Sequence, residues 1–114
     1  SKYFINSFLA VKVAFANEIH SLCQQLDINY DEVLKLISIE DRVGNSHLMV
    51  PGPDGKKGFG GSCFPKDINS LINVFEENNI DTYVLKNAWK RNSEIDRPEK
   101  DWEQLKGRAV SEKD

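Results

Sequence analysis

Apolar residues recur at helical spacing from the first residues of the chain. Phe4, Phe8, Val11, Phe15, Ile19, Leu22 and Leu26 fall on one side, joined by Ile5, Leu9, Ala16 and Cys23, which predicts a helix over about Lys2 to Leu26. The apolar stripe spans an arc of roughly 160°, wider than one surface contact needs. At 1.5 Å per residue the helix is about 37 Å long, too much apolar surface for the rest of so short a chain to cover. A partner subunit, or further domains of a longer protein, or both, are the natural cover.

Asp27 to Tyr30 interrupt this pattern, and Asp31 is read as the N-cap of a second helix carrying Val33, Leu34, Ile37 and Ile39. Leu26, Ile28 and Tyr30 pack across the connection in this reading, making a helical hairpin. Glu40 to Gly60 has no clear period and holds the turn sequence Pro51-Gly52-Pro53-Asp54-Gly55. A loop of this length inside a compact domain is commonly either functional or disordered. Ile68, Leu71, Ile72 and Phe75 then mark a third helix over about Lys66 to Asn78, stopped by Asn78-Asn79. A fourth helix starts at Asp81 or Thr82 and runs through Val84, Leu85, Ala88 and Trp89 to about Ser93. Glu94 to Pro98 reads as a break, Arg97 to Trp102 as a short further turn, and the chain from Gly107 as a polar end. No segment supports a strand. The expected fold class is all-α: a long central helix with shorter helices packed on it, as residues 1–96, followed by a polar extension over 97–114.

Composition narrows the class without naming a function. A chain of 114 residues, 39% hydrophobic and 29% charged, has room for one soluble domain. The formal net charge of −3 gives no electrostatic reason to bind nucleic acid. No apolar run reaches the length of a membrane span, and the first residues lack a signal-peptide layout. Two cysteines make no disulfide framework, so a reduced, cytoplasmic protein is the simpler reading. No cluster of histidine, cysteine and acid has metal-ligand spacing.

The candidate chemistry lies in Gly58-Phe59-Gly60-Gly61-Ser62-Cys63-Phe64-Pro65-Lys66-Asp67. One cysteine ends a glycine-rich turn where a helix begins, with Pro65 suited to the first helical position. The positive end of the helix dipole and Lys66 both favour a thiolate at Cys63, and the thiolate is the nucleophile. The glycines open the approach, so a substrate can lie against backbone amides able to hold an oxyanion. Neither His20 nor His47 is placed by the sequence to activate Cys63, which weakens a thiol acyl-transfer reading. Lys56 and Lys57 add positive charge just before the turn, suited to a diphosphate or simply solvated. Lys2 and Asn6, four residues apart, share one face of the first helix, with Asn17 near the same angle three turns on. Such a pair is ordinarily a solvated helix edge.

The run GFGGSCFPKD resembles the active-site segment of the nucleotide-sugar dehydrogenases, the UDP-glucose and GDP-mannose 6-dehydrogenase family. Lys2-Tyr3-Phe4-Ile5-Asn6 resembles that family's Lys-x-x-x-Asn pair, and Asp41-Arg42-Val43-Gly44 its Asp-x-Arg-Ile-Gly segment with one residue fewer. The resemblance covers Lys2 to about Asn92 and corresponds to the family's central helical domain, of the 6-phosphogluconate dehydrogenase C-terminal type, through which members dimerise. It implies that Cys63 forms a thiohemiacetal and then a thioester with the substrate. It implies further that Lys2 and Asn6 hold the oxyanion, and that Asp67 orients or activates the hydrolytic water. Arg42 reaches the sugar in the neighbouring subunit's site in that pattern. Gly58, Phe59, Gly60 and Phe64 lie along the substrate, and Cys63 and Lys66 approach the NAD cofactor.

The reaction so implied is a two-fold, NAD-dependent oxidation of a nucleotide sugar such as UDP-glucose to its uronate. No strand followed by G-x-G-x-x-G is present, so the Rossmann half is expected outside this chain, and the isolated chain is expected to be inactive. The alternative is a stand-alone helical dimerisation module without catalysis of its own.

Overall fold

The computed structural model describes residues 1–105, and the expected polar end from Gly107 lies outside them. Four α-helices follow in order: α1 (Lys2–Gln25), α2 (Tyr30–Ile37), α3 (Cys63–Glu77) and α4 (Tyr83–Arg91). A π-helical turn, Asn92–Asp96, continues α4, and a 3₁₀ turn, Asp101–Leu105, closes the described chain. There is no strand among the described residues, and the fold is all-α.

The helix ends follow local chemistry. Ser1 caps α1 through its side chain. The N-cap of α2 is Asn29, whose side chain accepts from the Glu32 N–H; Asp31, expected in that role, sits in the first turn. An acid there still favours the helix dipole. α3 begins at Cys63, three residues before the expected start, with Pro65 at its third rather than first position. Proline costs no hydrogen bond at either place, because the first N–H groups of a helix have no intrahelical partner. α4 starts after Thr82, as expected. The expected break at Glu94 to Pro98 is only partly one: the helix widens into the π turn through Asp96 before it ends.

The core lies where α1, α3 and α4 meet. Ala10 and Ala14 of α1 pack against Phe59, Ile68, Ile72 and Ala88, with Leu85 and Trp89 alongside. A second cluster, Ala16, Cys23, Tyr30 and Val50, seats α2 and the long loop on the C-terminal half of α1. The side of α1 turned inward therefore carries small residues, which let neighbouring helices approach closely. The large residues of its apolar stripe are uncovered: Phe4 is 71% exposed, Phe8 59% and Phe15 62%, and Leu22 and Leu26 are also exposed. Beyond the π turn, Arg97 is fully buried and Trp102 packs its ring on Trp89 at 4.8 Å, so both join the helical body.

Candidate active site

The loop between α2 and α3 forms one wall of a cleft of about 600 Å³. Gly58, Phe59, Gly60, Ser62, Cys63 and Phe64 line that side. Val13 of α1, the loop residues Asn45 to His47 and Met49, the turn Gly52 to Asp54, and Arg97 complete the lining. Cys63 is the first residue of α3 and is exposed, whereas Cys23 is buried. His47 stacks on Phe64 at a centroid distance of 5.7 Å, so a histidine that the sequence left remote stands on the same cleft as the sulfur.

A second group of expected site residues gathers behind the first turn of α3. Asp67 is fully buried, and Asn6 Nδ2 donates to its Oδ2 at 2.7 Å. Lys66 Nζ lies 3.5 Å from the other carboxylate oxygen. Helical spacing explains the arrangement: Cys63, Lys66 and Asp67 fall within about one turn, and the buried face of that turn meets the start of α1. Asn6, Lys66 and Asp67 are thus brought together, with Cys63 on the same turn; Lys2, at the start of α1, lies over the Tyr3 ring with Nζ 5.9 Å from its centroid.

Arg42 stands apart from the cleft-lining residues. Its guanidinium takes Glu40 in a two-pronged pair at 2.7 and 3.0 Å on the exposed surface. The side-chain hydrogen bonds from Arg42, then its backbone N–H, hold the Glu40 carboxyl below the usual range. Arg42→Ala should leave the urea midpoint of the chain unchanged, because exposed pairs of this kind add little. A clear drop in that midpoint would show that Arg42 supports the fold. Lys56 and Lys57 are also absent from the cleft lining: Lys56 lies 4.0 Å from Asp101, and Lys57 acts electrostatically on His20 and Asp96.

Three polar residues to which the sequence assigned no site role hold the glycine-rich wall in place. Asn17, read as part of a helix edge, is buried and accepts the Gly58 N–H at 3.2 Å. Asn92 is fully buried; it accepts from the Phe59 N–H at 2.7 Å and donates to the Phe59 carbonyl at 2.9 Å. Arg97 donates to the carbonyls of Lys57 and Gly58 at 2.8 and 3.2 Å and pairs with Asp54 and Asp101. These contacts account for two of the glycines. Gly58 has φ +68°, and a Cβ there would strike the Asn92 amide and Asp96; one at Gly60 would strike the Arg97 guanidinium and the Asp101 carboxylate. The partners are 33 to 43 residues from the loop, so no local pattern announces them.

Asp96 lies beneath this wall. Burial pushes its carboxyl above the ordinary aspartate value of 3.8, while Arg91 pulls it down. Arg91 Nε is 3.2 Å away without hydrogen-bond alignment, which leaves burial dominant. An acid whose folded-state pKa is raised contributes stability below its unfolded pKa and loses it as pH rises through the folded one. Asp96→Asn should therefore gain on the wild type, in urea midpoint, as pH climbs from about 3.8 upward. A difference between the two that stays constant with pH would contradict the assignment.

Residues 1–94 match the UDP-glucose/GDP-mannose dehydrogenase family, central domain. The chain belongs to this family. As a member of the UDP-glucose/GDP-mannose dehydrogenase family it is 44% identical over 93 residues to the UDP-glucose 6-dehydrogenase of Rickettsia felis, a match covering 82% of this chain and 20% of that protein. It is 37% identical over 93 residues to that of Pseudomonas aeruginosa (82% and 19%) and 41% identical over 76 residues to that of Rhizobium meliloti (67% and 16%). The chain spans about a fifth of the length of the first relatives. No helix among the described residues is long and apolar enough to cross a membrane.

Proposed function

We propose that this chain is the central domain of an NAD-dependent UDP-glucose 6-dehydrogenase, in which Cys63 carries the sugar between two oxidations. The observation that carries the reading is the sulfur itself, exposed on a cleft and placed at the start of α3 behind a glycine-rich wall. The C6 alcohol loses a hydride and a proton to become an aldehyde. The Cys63 thiolate adds to that carbon, and the new oxyanion meets the ammonium groups and amide at the start of α1 and α3. Loss of a second hydride gives a thioester, and water then releases the uronate and regenerates the thiol. NAD, bound mainly by parts of the protein outside this chain, supplies the hydride acceptor for both steps.

Lys2 and Asn6 stabilise the oxyanion in this reading. Asp67, held by Asn6 and Lys66, sets the position of the Asn6 donor and of the attacking water. Cys63 and Lys66 face the nicotinamide, while Gly58, Phe59, Gly60 and Phe64 flank the sugar. Arg42 acts in the site of a second copy, which its absence from this chain's own cleft lining allows. The test is an assay of the longer protein that contains this chain. Two NADH should form per UDP-glucose consumed; no NADH above background, or one per sugar, would remove the reading.

A second reading, a helical dimerisation module, rests on the uncovered stripe of Phe4, Phe8, Phe15, Leu22 and Leu26 on α1. In that reading the module pairs without catalysis of its own. Light scattering on the 114-residue chain should give twice the monomer mass, and a monomer at micromolar concentration would count against pairing through α1.

A further inference from the structure

α4 ends in a way that places side chains the α geometry would turn elsewhere. The Arg97 N–H bonds to the Asn92 carbonyl, five residues back, at 2.7 Å. The turn between them holds one residue more than an α-helical turn, a feature frequent at functional sites. Asn92 and Arg97 consequently open and close the same wide turn, and both reach the wall before Cys63. Asn92 uses both ends of its amide on one peptide, that of Phe59, with no exposure to water. Phe59 in turn contacts Phe64 and Trp89, joining the wall to α3 and α4. Gly61, with φ +74° and open space where a Cβ would be, gives the chain its turn into α3.

We infer that Asn92 is a positioning residue for Cys63: by clamping the Phe59 peptide it fixes the wall from which α3 and its first residue start. The inference rests on the proposed role of Cys63, but its consequence can be read without sugar or nicotinamide. Without the clamp, two buried backbone groups lose their partners, the wall shifts to find others, and the sulfur loses its fixed place on the cleft.

The test uses the 114-residue chain and iodoacetamide, with Cys63 carboxamidomethylation followed by peptide mass spectrometry at a temperature where each variant is folded. Asn92→Ala should change the rate of Cys63 modification at least ~3-fold, since alkylation by a free reagent follows the access and surroundings of the sulfur, which the wall then no longer fixes. Ile72→Ala, a core truncation of comparable stability cost, should leave the rate unchanged, which separates positioning from general loosening. Equal rates for wild type and folded Asn92→Ala overturn the inference, as does an equal change produced by Ile72→Ala. Asn92→Asp, which keeps the acceptor for the Phe59 N–H, should return part of the way to the wild-type rate. Hydrogen exchange on the unmodified chain decides the matter if neither Asn92 variant folds. The Phe59 amide must then exchange only through global opening, and exchange at the rate of an open loop overturns the inference. Since no step depends on UDP-glucose, failure of the dehydrogenase reading would show in the NADH assay and leave this measurement intact.

Discussion

Cys63→Ser in the longer protein containing this chain is expected to lower NADH formation from UDP-glucose by at least ~10³-fold, with KM changed little. The hydroxyl is far less nucleophilic than a thiolate, and among the described residues no base stands in hydrogen-bond contact with this position: there the sulfur's one polar contact is with Ser62 Oγ, at 4.0 Å. Substrate affinity should survive because the cleft is lined mostly by other groups, Phe59, Phe64 and the glycine backbone among them. The effect should therefore fall on kcat, the signature of an interaction made in the reaction and not in binding. Steady-state kinetics with the unfolding midpoint as a fold control makes the measurement. A variant that keeps a tenth of the wild-type kcat would remove Cys63 from the reaction.

The second large effect concerns stability. Arg97→Ala is expected to cost about 2–5 kcal/mol, read as a shift in the urea midpoint at constant slope. Arg97 is 1% exposed, and its guanidinium serves two loop carbonyls and two carboxylates. Truncation leaves the carbonyls of Lys57 and Gly58 without these donors and opens space beside Gly60. Asp101, only partly exposed, would retain Lys56 as a distant partner at 4.0 Å. Arg97→Lys should recover little, since one ammonium cannot reproduce a fork of donors reaching four acceptors. An Arg97→Ala chain as stable as wild type would mean that the wall is held by Asn17 and Asn92 alone.

The two effects meet in one construction. Cys63 sits at the end of a backbone segment in which Phe59 is the main side-chain anchor. Glycine at 58 and 60 makes room for Asn92, Arg97 and Asp101 to approach the backbone. The polar residues replace the packing that the glycines lack. Pre-organising a reactive group in this way rests on rigid support from regular elements, here α1 and the π turn.

Much of this was legible in the chain. The number and order of helices follow from apolar spacing, and GFGGSCFPKD with Lys2 and Asn6 points to the family. The reason is that a helix period, a glycine turn and a reactive cysteine are local features, written in consecutive residues. The inward side of α1 was not legible in the same way. Periodicity marks where large apolar residues lie, and in α1 these are the ones left uncovered, while Ala10, Ala14 and Asn17 face the core. Nor could spacing reveal that Arg97, surrounded in sequence by charge, would be among the most buried side chains, or that His47 would stand on the cleft with Cys63. Those placements depend on contacts between residues 30 or more positions apart, on a cavity shaped by several segments, and on one extra residue in a helical turn. Sequence determined the elements and set Cys63 beside a glycine turn; only the packing of α1, α3 and the π turn decided which polar side chains would hold that turn in place.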